Sequence, residues 1–452
     1  MKKKRYQAAA LSLSVLLSGC AGKHEEQVVY LPDETVTETE AAVRELSTEE
    51  TQVENEEDKT ETEEYNTSGG EELSEDAYGV LRDFAYSLFG ENMAEENPVL
   101  SPVSAYIALS MAGLGAENNT GEEFEAVLGA YPDMTALCDD LMNTLSVSSE
   151  SNKVTLACSA WIDDEMNVYD SWLADIDTIM HSEAFRVNLS DTETVTQMND
   201  WIEDKTNGLI GQMVDEPFDK DARLVLFNTV YFKAKWASMF DAADTYEDKF
   251  YTEDGSALDT EMMHKHEAGM DYVANDFVEG LIFPYQNWDD GDGNFELVAL
   301  KPVDEEAKVR DIYSELTGEV IADLLSNKQT EMVNTKLPKF ELEFAGDLNE
   351  SLISMGLVDA FKEDAADFGG IGVTDTGDGI YIDLVSQKVK ITVDEEGTEA
   401  AAATSILMAR ASSLMTEEPM EIYFESPFIY IIMDMDKEIP LFIGILDNPT
   451  VS

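Results

Sequence analysis

The chain has 452 residues, of which 95 are acidic and 28 basic, giving a formal net charge of −67. A surface of that sign repels nucleic acid and anionic lipid headgroups, so neither is an expected partner of the folded part. With 44% hydrophobic residues, the chain can build one large core or two ordinary domains.

In chain order, Lys2, Lys3, Lys4 and Arg5 form a basic start. A mostly apolar run from Ala8 to Leu17 follows and is too short to span a bilayer. Leu17-Ser18-Gly19-Cys20 then resembles the lipobox of bacterial lipoprotein signal peptides. The resemblance implies removal of residues 1–19 and lipid attachment to the Cys20 thiol. The expected place is the extracellular face of a bacterial cell membrane, or secretion if Cys20 is not modified. Two or more acyl chains anchor firmly where one does so only marginally.

Residues 24–75 hold 19 Asp and Glu against Arg44 and Lys59, with Ser, Thr, Gln and Asn filling much of the rest. Such a segment cannot bury enough apolar surface to offset its ordering entropy. The predicted organisation is therefore a signal peptide over 1–19, an acidic disordered tether over 20–75 and one folded domain over 76–452. Two further cysteines, Cys138 and Cys158, are too few for a disulfide framework and read as small buried residues, with pairing left open.

Within the folded part, Tyr78, Leu81, Phe84, Ala85 and Leu88 recur at helical spacing up to Gly90. TQMNDWIEDKTNGLIGQMV reads as a helix with Met198, Trp201 and Ile202 on one face and Gly208 able to close it. Leu224 to Phe232 reads as a buried strand. VKITV (Val389 to Val393) has strand character. Phe428 to Met433 and Ile439 to Leu446 flank Asp434-Met435-Asp436-Lys437 as a hairpin.

No enzyme site emerges. Of four histidines, His264 and His266 are predicted to be an exposed pair rather than a metal site, since no Cys or third His supports them. A serine-protease triad needs a positioned His. There is no Gly-x-Ser-x-Gly elbow, phosphate-binding loop or dinucleotide fingerprint. No metal and no cofactor is expected.

Six stretches resemble the serpin family, in the family's order: NPVLSPVSAYIALSMAGLGAENNT, MNDWIEDKTNGLI, LVLFNTVYFKAKW, TKLPKFELE, LNESLISMGLVDAF, and SPFIYIIMD with PLFIGILDNP. The resemblance implies an α+β (mixed α/β) serpin fold with three β-sheets, eight or nine helices and an exposed reactive-centre loop. It implies an inhibitor of a serine endopeptidase, acting as a monomer. A protease cuts the loop, which inserts into the central sheet and traps the acyl-enzyme. Ser101, Ser104 and Asn228 match the region where that sheet opens, and Trp236 matches the tryptophan where the loop enters. Gln387 stands where the family often has a buried His, so this site cannot titrate.

The loop stretch is EEGTEAAAATSILMARASS. The hinge comprises Glu395, Gly397, Thr398, Glu399, Ala400, Ala401, Ala402, Ala403 and Thr404. An inserted strand alternates its faces. Burying Glu399 is costly, so Thr398, Ala400, Ala402 and Thr404 are expected to face inward. Gly397 suits a hinge through its backbone freedom. Family spacing from Glu395 places the reactive bond at Ala411–Ser412, which suits an elastase-like pocket. The alternative, Arg410–Ala411, suits a trypsin-like one. Other bonds between Met408 and Met415 stay open, as does a subtilisin-like target. The alternative functions are a non-inhibitory binding or chaperone-like role, or inhibition of a trypsin-like or a cysteine protease.

Replacing Cys20 with Ser is expected to move the protein from the membrane fraction to the soluble fraction of cells, scored by fractionation and by the mass of the N-terminal peptide.

Overall fold

A computed structural model describes residues 73 and 77–451, except 95, 146–151, 207, 209–211, 287–293, 305, 375–378 and 399–417. Cys20 and the hinge and bond positions from Glu399 to Ser412 lie outside the described residues. In chain order the elements are α1 (Ala77–Glu91), β1 (Val99–Leu100), α2 (Pro102–Gly113), α3 (Asn118–Leu128), α4 (Tyr131–Leu145), β2 (Lys153–Asp163), β3 (Met166–Val168), α5 (Asp170–Thr178), β4 (Glu183–Val187), α6 (Thr192–Lys205) and β5 (Leu224–Lys235). They continue with β6 (Thr245–Tyr251), β7 (Ala257–Ala274), β8 (Val278–Pro284), β9 (Phe295–Pro302), α7 (Val309–Tyr313), α8 (Gly318–Ser326), β10 (Gln329–Pro338), β11 (Phe340–Asp347) and α9 (Asn349–Met355). The last are β12 (Gly372–Thr374), β13 (Ile382–Val393), β14 (Gly397–Thr398), β15 (Met420–Tyr423), β16 (Phe428–Asp434) and β17 (Ile439–Leu446). The class is mixed α+β, with three sheets and nine α-helices among the described residues.

The central sheet has six strands in the order β11-β13-β14-β5-β2-β4. Alternate residues of β5 serve two cores. Leu224 and Leu226 face the main core, while Val225 and Phe227 face a second cluster formed with Met198, Trp201 and Ile202 of α6. A strand covered on both faces needs apolar residues at consecutive positions, which is why this one reads as an unbroken hydrophobic run. The α2 helix lies under the main-core face. All twelve of its residues are buried, and Pro102 occupies its first turn, where no backbone donor is lost.

The α6 helix is capped by Asp191, whose carboxylate accepts the Glu193 N–H at 3.0 Å. It ends at Lys205, earlier than the apolar pattern through Val214 suggests. Gly208, with φ of 79°, closes it by donating to the Glu203 carbonyl at 2.8 Å. Asn199 then holds the returning chain, accepting from the Met213 and Val214 N–H groups at 2.8 and 3.0 Å.

The larger sheet, of nine strands, runs β1-β17-β16-β9-β8-β7-β10-β15, with β6 on β7. The C-terminal hairpin pairs Phe428 with Leu446 through Asp434 with Ile439, and the buried Asp434 accepts the Asp436 and Lys437 N–H groups to make its turn. One expectation fails here. His264 is buried, not exposed, because Tyr246 on the neighbouring β6 stacks on its ring at 4.1 Å. Its Nδ1 lies 3.0 Å from the carbonyl oxygens of Asp244 and Met262. Of the pair, His266 is exposed.

Cys138 and Cys158 are both free and buried. Burial pushes the Cys138 thiol up to about 12 and that of Cys158 higher still. Both are expected to resist maleimide in the native protein at pH 8 and to react fully in guanidinium, as intact mass will record.

Candidate functional site

The site grows from one feature of the central sheet. β13 and β5 pair in parallel, ending at Val389 opposite Val230. Beyond that level the direct ladder stops, although β13 runs on to Val393 and β5 to Lys235. The two strands part, and the two residues of β14 occupy the gap. Thr398 pairs with Val393 on one side and Ala234 on the other, and Gly397 pairs with Lys235. Both β14 contacts are antiparallel, the arrangement a strand folding back from the end of β13 must adopt.

The sequence DEEG builds the turn that brings the chain back. The Asp394 carboxylate accepts the Glu396 and Gly397 N–H groups at 2.8 and 3.2 Å, and the Asp394 N–H donates to the Gly397 carbonyl at 3.0 Å. Neighbouring elements hold the turn from outside. The Trp236 indole donates to the Asp394 carbonyl at 2.8 Å, and its backbone N–H donates to the Glu396 carbonyl at 2.8 Å. The Phe240 N–H donates to the Glu395 carbonyl at 3.0 Å. Lys339 lies 3.1 Å from the Glu395 carboxylate. Burial opposes the charge on Glu395, but its own backbone N–H and Lys339 outweigh that cost and hold its carboxyl below the usual range.

Two residues seat β14. Thr398 is 1% exposed and its hydroxyl lies 2.7 Å from the hydroxyl of Tyr285. Burial pushes the Tyr285 phenol up, so it stays protonated, and its ring stacks on Trp236 with centroids 4.6 Å apart. Gly397 sits so close to β5 that a Cβ there would lie 2.0 Å from the Ala234 carbonyl oxygen. The glycine is required by this backbone approach and by its φ of 158°, which side-chain-bearing residues rarely adopt.

Lower in the sheet, where β13 and β5 still pair, a buried polar cluster spans the junction. Gln387 and Asn228 are cross-strand neighbours. The Gln387 amide donates to the Ser101 carbonyl at 2.8 Å and to the Asn228 side-chain oxygen at 2.6 Å, and accepts the Ser101 N–H at 2.9 Å. Ser104 donates its hydroxyl to the same Asn228 oxygen at 2.9 Å, and the Asn228 amide donates to the Ser386 carbonyl at 3.3 Å. The structure thus gathers Ser101, Ser104, Asn228 and Gln387 in one network and places Trp236 with Glu395, Gly397 and Thr398 in another. Asp394, Tyr285, Phe240 and Lys339 are members that sequence reasoning missed. The Asp-x-x-Gly spacing was a legible sign for Asp394 alone.

No group of three or more metal-ligating side chains occurs among the described residues. A family model described as serpin (serine protease inhibitor) matches residues 80–449. An uncharacterized serpin-like protein of Thermococcus kodakarensis is 31% identical over 377 residues, covering 82% of this chain and 85% of its own. Alpha-1-antiproteinase 2 of Equus caballus is 30% identical over 384 residues, covering 82% of this chain and 86% of its own. The native-state crystal structure of the thermophilic serpin tengpin superimposes with a TM-score of 0.76 at 31% identity, over 84% of this chain and 95% of that one. The latent state of tengpin gives 0.70 at 30% identity, over 83% and 98%.

Truncating Gln387 to Ala strands the buried Ser101 N–H and removes two amide bonds. Native stability is expected to fall by about 3 kcal/mol in urea unfolding. Since no imidazole occupies this position, stability through pH 6–7 is expected to have the same slope in wild type and in Gln387→Leu.

Proposed function

The chain belongs to the serpin family, and from that premise we propose that it inhibits a serine endopeptidase as a suicide substrate. The observation that carries this reading is β14, two residues of the hinge already paired on both sides between the parted ends of β13 and β5. The protease serine attacks the carbonyl of Ala411. The Ala411–Ser412 bond breaks, Ser412 leaves as a free amine, and Ala411 stays esterified to the enzyme. The freed loop extends the ladder that Thr398 begins. About 15 inserted residues at roughly 3.3 Å each carry the ester some 50 Å. The drag distorts the protease before water can resolve the ester.

Insertion lowers the free energy for two reasons. The unpaired inner edges of β13 and β5 gain backbone partners. The entering side chains at alternate positions, Thr398, Ala400, Ala402 and Thr404, are small enough for the sheet to close around them. Alanine before the cut fits the small pocket of an elastase-like protease. Cutting at Arg410–Ala411 would mark a trypsin-like target. The lipobox and acidic tether support a placement on the outer face of a cell membrane, with the folded part held away from it.

Incubation with elastase-like, trypsin-like and subtilisin-like proteases is expected to give a covalent complex with the first on a denaturing gel. The released peptide is expected to begin at Ser412 by mass. Thr398→Arg puts a charged side chain into a closed seat and is expected to give cleavage with little or no complex. An undiminished complex yield in that variant would falsify the insertion mechanism.

A further inference from the structure

At the end of the β13–β5 pair away from the hinge, the ladder contains a bulge. Ile382 pairs with Leu224 and Leu384 with Val225, which leaves Asp383 without a partner residue. Its carboxylate takes over. One oxygen accepts the Arg223 N–H at 2.5 Å and the Leu224 N–H at 3.2 Å. Bonds from backbone donors to an ionised acceptor are stronger than neutral ones. Burial pushes the carboxyl up to about 6, against the pull of those two donors, so it is ionised at pH 8.

Both ends of this cross-link are anchored. On the β5 side, the Arg223 carbonyl accepts the Asp163 N–H at 3.1 Å, and the Arg223 guanidinium lies 3.8 Å from the Asp163 carboxylate. On the β13 side, the Asn349 amide at the start of α9 donates to the Asp383 carbonyl at 2.8 Å and accepts the Val385 N–H at 2.9 Å. The Asp383 side chain therefore ties one block, α9 with β13, to another, β5 with β2. A strand inserted beside β5 takes the N–H groups of that edge for its own carbonyls. The register that Thr398 sets with Val393 and Ala234, carried down the sheet, brings the new strand level with Asp383 and Leu224 before the Ala411–Ser412 bond is reached.

Resting on the insertion reading above, we propose that the Asp383 carboxylate is a latch on the closed end of the sheet. It holds in the native form, is released in the inserted form, and sets how often insertion outruns hydrolysis of the trapped ester. Asp383 is a positioning residue, acting through the backbone N–H groups of Arg223 and Leu224.

The test compares wild type, Asp383→Ala and Asp383→Asn at pH 8, each intact and after cleavage in the loop. Three quantities are read: the guanidinium midpoint of both forms, the rate of insertion, and the fraction of protease trapped. Asp383→Ala is expected to lower the midpoint of the intact form only, to insert about tenfold faster and to trap a larger fraction. Asp383→Asn keeps an oxygen acceptor and is expected to fall between, and it carries the test if the alanine variant does not fold. Equal lowering of both midpoints, or unchanged trapping in both variants, overturns the latch alone. A wild type that gains no stability on cleavage removes the insertion reading and the latch with it.

Discussion

Two parallel strands that stop pairing part-way along their length are the constraint on which the rest of this molecule depends. A buried backbone edge with no partner is costly, and the upper ends of β13 and β5 expose such edges to each other across a gap. The chain answers in a limited way. It fills the first step of the gap with β14 and goes no further within the described residues. The seat for that step is built from distant parts: Tyr285 follows β8, Trp236 and Phe240 follow β5, and Lys339 lies between β10 and β11. Three segments thus spend their polar groups on one turn of five residues.

Closure below the gap is made from neutral groups. Gln387, Asn228 and Ser104 exchange hydrogen bonds with one another and with the backbone of Ser101 and Ser386, all in the interior. A neutral network of this kind fixes one packing without the desolvation cost of buried ions. It also has short reach. Each bond is lost within about an ångström of strand separation, so the junction is either made or broken. Charged groups close the two ends of the pair, Glu395 with Lys339 at the top and Asp383 on backbone donors at the bottom.

Much of this architecture was legible because its causes are local. The buried run of β5 follows from its two covered faces, the C-terminal hairpin from an apolar-turn-apolar pattern, and α6 from a single apolar stripe closed by Gly208. The members of the polar cluster were legible through family motifs, since Ser, Asn and Gln give no periodic signal. What escaped depends on partners far away in sequence. Nothing around Thr398 announces Tyr285, and nothing around His264 announces that Tyr246 will cover it from the next strand. Asp383 looked like one of 95 acidic residues. Its difference comes from a bulge, and a bulge is a relation between two strands that neither carries alone. Gly397 was legible through its backbone freedom, but the close approach of the Ala234 carbonyl, which also requires a glycine, was not.

The hydroxyl pair between Thr398 and Tyr285 has a consequence for everything that follows it in the chain. In a strand, odd and even positions look opposite ways, and a slip of one residue exchanges them all. On the proposed mechanism, with Thr398 docked against Tyr285 and Gly397 wedged against Ala234, the first rung is chosen before any bond is cut. On the proposed insertion, a strand continuing from it inherits that choice, Thr398, Ala400, Ala402 and Thr404 to one side and Glu399, Ala401 and Ala403 to the other. On that reading the two contacts act as an index mark, deciding the odd-even assignment of the strand that insertion would add.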